Sequence, residues 1–492
     1  MKAIATSKRF VSVLALLLAI VMCFSACGGS EDVSSAGGDN TVSDASVEST
    51  ASEDKTESED TASVSSKPVN TPSNGTGDKK PVTGKAVWDK DYLKTMPASV
   101  KSKGLKILLW RDLHPTEQKL LDDFVKKTGC KVEKVITTEK EYSTKLVSLI
   151  SAKNSPDICV LQNENFPGIV TKAMQPLDEK TFRLDDSCWN QPYMDAYSIN
   201  GKTFCVAMPG SWSCEDCLYV TYYQPKVLKE CGITKMPYDL YKDGKWNWDT
   251  QYEIASKVKG AGKGYIGISL QSYDLFMLSA GQDFVSYDGK KFKNQLGSVG
   301  SNSLLTEAWQ AVAKLNESQL STSWNLSQVQ QGKVGLFTSI AYGMYNEGNW
   351  DFVDLPGGAE SIEVVPVAGP KGDPAYTPYR PKTWGVPKGA KNVEGAAYFL
   401  RYWLDIDNCD MDATFLNKQC KKVYDIITKK SHKKQARTGC GVTNYVTANT
   451  YEGICNVLYS ATPANVTTII NQKKGSVATG VTRANKDLTR IK

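Results

Sequence analysis

The segment Cys214-Glu215-Asp216-Cys217 has the two-residue cysteine gap used by redox dithiols and zinc sites. Zinc needs two further ligands, and the only histidines, His114 and His432, are far away in sequence. A redox pair of the thioredoxin kind is expected to open a helix inside its own βαβ unit, whereas this pair is expected at a hinge. A local disulfide and a pair of reduced thiols are the readings left open. Asp405, Asp407, Asp410 and Asp412 resemble a calcium loop only in charge, because the turn glycine and the distal Glu are missing; they read as a solvated helix end. No G-x-S-x-G, H-E-x-x-H or G-x-x-x-x-G-K-[ST] motif occurs, and two histidines in 492 residues leave little scope for general-base chemistry. No catalytic residue, metal or cofactor is therefore expected. A secreted glycosidase needs only two carboxylates, so it stands as the enzyme alternative.

Cys27 carries a different chemistry. A basic start (Lys2, Lys8, Arg9) and an apolar run from Val11 to Phe24 lead into Ser25-Ala26-Cys27. The run is about 14 residues, short of the roughly 20 that span a bilayer, and small residues precede the cysteine as a signal cleavage site requires. Residues 1–27 therefore read as a lipoprotein signal with Cys27 as the lipidated residue, although Phe24 stands where Leu is usual. Met22 makes Cys23 a poorer candidate. Residues 28–86 read as an acidic, Ser/Thr-rich tether. From Gly28 to Lys80 there is no aromatic residue, and 11 acidic against 4 basic residues give −7. A coil of that length spans roughly 40 Å, enough to hold a folded body off a membrane.

With +3 in the signal and −7 in the tether, the net +6 leaves +10 for residues 81–492. The lysines are scattered, with no Arg-rich helix, so no nucleic-acid partner is expected; an anionic ligand or cell wall is compatible with this charge, as is a solvated surface. Removing Cys23 and Cys27 leaves 11 of the 13 cysteines, an odd number, so at least one thiol is free or pairs with another molecule.

About 410 residues remain to fold, enough for two or three domains. Leu105 to Trp110 is a short apolar run of the buried-strand type. Pro115 then suits a first helical position, Leu120, Leu121, Phe124 and Val125 share one helical face, and Gly129 ends it. Val132–Ile136 reads as the next strand. Tyr142, Leu146, Leu149 and Ile150 mark a second helix, and Ile158–Leu161 a third strand. Strands alternating with helices imply a parallel sheet covered on both faces, with ligands at the carboxyl ends of its strands.

Several short motifs occur in a fixed order: Lys106-Ile107-Leu108-Leu109-Trp110, Leu120 to Phe124, Lys127-Thr128-Gly129, Tyr142 to Leu146, Ser155-Pro156-Asp157-Ile158 and Gln175-Pro176-Leu177-Asp178. They continue with Asn200 to Phe204, Trp246-Asn247-Trp248-Asp249, Gln331 to Gly335, Thr383 to Ala390 and the helix Ala396 to Leu404. In this order they resemble the bacterial extracellular solute-binding proteins of sugar-type ABC importers, the group that contains maltose-binding proteins. The chain departs from that pattern at Tyr222-Tyr223-Gln224, at Gly129-Cys130-Lys131-Val132 and at Asn247, which can still cap a helix.

The resemblance implies an α/β, two-lobed periplasmic-binding-protein-like fold. Each lobe is expected to be a mostly parallel sheet flanked by helices, joined to the other by crossover strands. Crossings are expected near Gly210, Lys333 and Gly372, which puts 104–212 with 333–372 in lobe 1 and 213–332 with 373–492 in lobe 2. The function implied is capture of a carbohydrate, a mono- or oligosaccharide, between the lobes and its delivery to the membrane subunits of an ABC importer. The chain is then a monomer held on the extracellular face of the cell membrane by lipid on Cys27. A peptide- or metal-binding lipoprotein is a further alternative.

Eleven Trp and twenty-three Tyr supply rings on which the CH faces of a sugar can stack. Trp110, Arg111 and Asp112 follow the first strand, Glu164 the third. Trp212 lies at the first crossing, Tyr273 and Asp274 follow the run Gly267–Leu270, and Tyr342 follows Phe337–Ala341. Arg380 and Trp384 lie in a segment where the family often supplies ligand contacts. Trp246, Trp248 and Trp403 are expected in the core or at helix starts.

Overall fold

A computed structural model describes residues 87–491 apart from 163–164, 209–217, 297–302, 347–351, 353–354, 373–375, 380–381, 409–414, 429–434 and 438–460. The chain divides into two units, Met1–Asn70 and Thr71–Lys492, and every described residue belongs to the second. The signal, Cys27 and the tether lie outside the described residues, as do Glu164, Trp212, Arg380, both cysteines of the Cys214–Cys217 pair and Gly210.

The first sheet holds β1 (Leu105–Leu109), β2 (Val132–Ile136), β3 (Ile158–Leu161), β4 (Cys205–Val206) and β13 (Thr383–Gly385) in the order β2-β1-β3-β13-β4. β1 pairs in parallel with β2 (Leu105 opposite Val132) and with β3 (Ile107 opposite Ile158), and β13 runs antiparallel between β3 and β4. The expected helices follow. Pro115 opens Pro115–Thr128, and Gly129, at φ 73°, ends it in the left-handed conformation. Tyr142–Ser151 precedes β3. Phe124 meets Phe399 of helix Val393–Trp403 edge to face at 5.0 Å, which covers one face of the sheet.

The second sheet runs β11-β5-β10-β6-β9, from β5 (Tyr219–Tyr223), β6 (Ile266–Leu270), β9 (Ser321–Ser323), β10 (Val334–Ile340) and β11 (Glu363–Pro366). β10 is parallel to β6 and antiparallel to β5, and β6 is parallel to β9. Helix Trp248–Gly260 starts at Asn247, whose side chain accepts from the N–H groups of Asp249 and Thr250, the cap its position suggested. Trp246, Trp248 and Trp403 are buried, at 8%, 7% and 2% exposure. Two two-stranded pieces complete the described strands: β7 (Val285–Tyr287) with β8 (Phe292–Asn294), and β12 (Thr377–Tyr379) with β14 (Gln435–Arg437).

Sheet membership corrects the expected division of the chain. Residues 333–372 do not join 104–212: β10 and β11 lie in the second sheet with β5. Nor does all of 373–492 go with 213–332, because β13 and the helix after it pack in the first half. Close packing at two glycines fixes this arrangement. A Cβ on Gly335 would lie 2.6 Å from Val258 of helix Trp248–Gly260, and one on Gly385 would lie 2.6 Å from the carbonyl oxygen of Phe204 and 2.8 Å from Met174. Only glycine lets β13 slide between β3 and β4. Gly385→Ala is accordingly expected to lower stability by about 1–3 kcal/mol, read as a shifted denaturant midpoint with an unchanged slope.

The halves are also strapped together. Just before the β7–β8 hairpin, Phe284 meets Trp309 of helix Ser303–Glu317, the helix that leads into β9, at 5.7 Å. The hairpin's rings then pack on the first half: Phe166 stands edge-on to Tyr287 (5.3 Å), Phe292 (5.8 Å) and Tyr197 (5.4 Å). The Tyr287 hydroxyl donates to Ser198 O at 2.7 Å, and Asn200 N–H donates to Gly289 O at 3.0 Å. The C-terminal helix Val466–Leu488 finishes the edge of β8, since the Asn485 amide accepts from Phe292 N–H (2.8 Å) and donates to Phe292 O (3.0 Å).

Cys130, Cys159, Cys188, Cys231 and Cys420 are free thiols. Burial pushes Cys420 up to about 12 and raises Cys130, so both stay protonated and unreactive at neutral pH.

Candidate functional site

The carboxyl end of β1 places Trp110, Arg111 and Asp112 in one loop. Trp110 is half-buried, with its edge on Tyr142 (5.9 Å, 78°) and the Lys382 ammonium 5.1 Å from its ring centroid. Tyr142 is itself fixed between strands: its hydroxyl donates to Leu108 O at 3.1 Å and accepts from Val160 N–H at 2.8 Å. Arg111 pairs with Glu117, its guanidinium reaching both carboxylate oxygens at 2.6 and 3.0 Å, and it also donates to Asp112 O. Glu117 is 5% exposed and additionally accepts from His114 N–H. A forked pair of this kind holds the loop rigid. Asp112 is exposed; the hydrogen bond from Lys134, at 2.8 Å, and then the Leu113 N–H hold its carboxyl below the usual range.

Trp384 comes from β13, opposite Val160 and Val206. It is 3% exposed, edge to face with Trp403 at 6.0 Å, so its ring serves the core. With Leu109, Trp110, Arg111, Glu117 and Lys382 it also lines a cavity of ≈ 20 Å³, space for about one water.

The second sheet presents its own carboxyl ends. Gln271 N–H donates to Thr338 Oγ1, joining the exits of β6 and β10. Tyr273 is 2% exposed and its hydroxyl donates to Ser321 Oγ at 3.0 Å; Asp274 is 7% exposed and accepts from Ser272 Oγ. Both are built into the body of this half. Tyr342, just past β10, is half-buried, and its hydroxyl lies 2.5 Å from His114 Nε2, with the rings 5.9 Å apart. This pair therefore joins the loop at the carboxyl end of β1 to the turn at the carboxyl end of β10, one strand from each sheet.

Among the expected residues, Trp110, Arg111, Asp112 and Trp384 converge on one loop, and Tyr342 meets that loop through His114. Tyr273 and Asp274 sit apart in the second half. His114 and Lys382 are additions. The first had a legible signal, as the residue before Pro115 at the exit of a strand; Lys382 had only its place two residues before Trp384. Among the described residues no three His, Cys, Asp or Glu side chains gather as metal ligands, and no helix is long and apolar enough to cross a membrane.

Two α/β halves joined at strand carboxyl ends define a two-lobed binding-protein fold. A family model for bacterial extracellular solute-binding proteins matches residues 119–415, more than half of the chain. The chain belongs to that family, as its motifs implied, and it is a family of binders. Among solved structures, the galacto-N-biose/lacto-N-biose I-binding protein of a Bifidobacterium longum ABC transporter, in complex with lacto-N-biose, superposes with TM-score 0.59 at 14% identity, covering 77% of this chain and 97% of that one. The cyclic α-maltosyl-1,6-maltose binding protein of Arthrobacter globiformis gives 0.56 at 14% identity, over 78% and 99%. A Staphylococcus aureus extracellular solute-binding protein in complex with maltose gives 0.52 at 15%, over 78% and 96%. At these identities the likeness establishes the fold. Comparison with curated proteins gives no match.

Proposed function

We propose that the chain is the lipid-anchored substrate-binding component of an ABC importer, holding a mono- or oligosaccharide between its halves and releasing it intact. The observation that carries the reading is the His114–Tyr342 contact, which joins the carboxyl end of β1 to that of β10. Ligands of α/β sheets lie at those ends, and a solute that touches both halves favours the closed state by its extra contacts there. The complexes with lacto-N-biose and maltose in structures of the same fold support a carbohydrate.

In this reading lobe 1 is built from residues 87–207 with the segment around β13 and helix Val393–Trp403, and lobe 2 from the segment β5 to β11. Half-buried Trp110 offers a ring for stacking, with Arg111, Asp112, Tyr342, Glu164, Trp212 and Arg380 as further candidates. Cys27 carries the lipid, the tether reaches outward, and the folded body works as a monomer on the outer face of the membrane. No bond is made or broken.

A thermal-shift screen over intact glycans, followed by chromatography of the glycan, tests this. Ligand at 100 times its Kd stabilises by about 2.7 kcal/mol, so a binder raises Tm and returns the glycan unchanged. Shortened product would make the chain a glycosidase; no response to any sugar would remove the carbohydrate reading.

A further inference from the structure

The first sheet has a second populated end. At the amino ends of β1, β2 and β3, away from Trp110, lies an open pocket of ≈ 520 Å³, within the roughly 300–1,000 Å³ of ligand clefts. Its floor is built on two buried, hydrogen-bonded side chains, Asp157 and Asn392. Asp157, 5% exposed, accepts from the N–H groups of Lys106 (2.9 Å), Lys391 (2.8 Å) and Asn392 (2.7 Å). Asn392, 2% exposed, donates to Val100 O and Gly104 O at 2.9 and 2.7 Å. These bonds tie helix Ala98–Lys103, the start of β1 and the start of helix Val393–Trp403 into one platform.

Four lysines from separate segments, Lys103, Lys106, Lys131 and Lys391, line this pocket against two carboxylates, Glu133 and Asp157. Lys106 is engaged, its ammonium 2.8 Å from Asn154 Oδ1 and 3.4 Å from Glu133. The side chains of Lys103, Lys131 and Lys391 are exposed and form no ion pair among the described residues. Asp157 is buried beneath its three N–H donors, and Glu133 is the one exposed carboxylate against four lysines, so the net charge of the rim is positive. Ammonium groups gathered around one concavity repel each other until an anion with several acceptor oxygens lies between them, and lysine meets phosphate as a point charge.

We infer that this pocket is a second binding site, for the phosphate group of an anionic ligand, at the opposite end of the sheet from the solute cleft and able to fill independently of it. The same chemistry is offered by a soluble phosphate ester and by a phospholipid headgroup. Calorimetric titration with glycerol 3-phosphate and flotation with phosphatidylglycerol vesicles, against phosphatidylcholine vesicles, distinguish the two sources.

The variant Lys103→Gln/Lys131→Gln/Lys391→Gln is compared with Lys257→Gln/Lys259→Gln/Lys290→Gln, which removes the same charge elsewhere. The pocket variant is expected to bind whichever probe the parent binds roughly tenfold more weakly, the product of three exposed ion contacts. The distant variant should stay within about twofold of the parent on the same scale. All six positions are exposed, so matching melting temperatures confirm that both variants are folded. Equal weakening in the two variants, or no saturable binding of either probe by the parent, overturns the site.

Discussion

Trp110→Ala is expected to weaken carbohydrate binding about thirtyfold while leaving the ligand-free protein folded. The indole stands half-buried at the exit of β1, held by Tyr142 at its edge and by the Lys382 ammonium over its ring. A sugar face covering roughly 80 Å² of it, under half of what an aromatic side chain can bury, contributes about 2 kcal/mol at ~25 cal/mol/Å². That energy is near thirtyfold in Kd. Trp384→Ala is the informative companion. Its ring is 3% exposed against Trp403, so the loss belongs to stability, about 3–5 kcal/mol for a buried Trp. Titration calorimetry and chemical denaturation of the two variants separate the roles. An unchanged Kd in Trp110→Ala would take the indole out of the site.

Much of the first half was legible in the sequence because its signals are local. The run Leu105–Trp110, Pro115 and Gly129 each act within one turn or one strand; the helix falls where those residues put it, Val132–Ile136 is the second strand as read, and the first strand ends one residue early, at Leu109. The assignment of later segments to a sheet was not legible. The apolar stretch Val334–Ile340 suits a central strand of either half; what decides is the missing Cβ of Gly335 against Val258, a contact across 77 residues of chain. The site divides in the same way. That Trp110, Arg111 and Asp112 share the loop at the carboxyl end of β1 was legible from the run that precedes them. Whether a residue beyond a strand faces the cleft or its own body was not: Tyr273 turns to Ser321 and Tyr342 to His114, and both follow strands of the same sheet. Periodicity gives direction within an element but not beyond its end.

Phe292→Ala is expected to lower stability by about 3–5 kcal/mol, the cost of a large-to-small change in a packed aromatic core. Phe292 is 1% exposed, stacked on Tyr287 at 4.3 Å and edge-on to Phe166, which is fully buried. The loss reaches beyond one hairpin, because these rings are where a segment rooted on helix Ser303–Glu317 packs on the first half. Tyr287→Phe keeps the rings and removes only the hydrogen bond to Ser198 O, so it should lose about 1 kcal/mol. Denaturant titration of both variants measures the difference, and a Phe292→Ala loss no larger than that of Tyr287→Phe would show that the rings do not strap the halves. In the proposed function a hinge motion would keep this hairpin packed on the first half, since separating Tyr287 and Phe292 from Phe166 exposes buried rings. Under the proposed function, Phe292→Ala is therefore expected to weaken solute binding as well as stability.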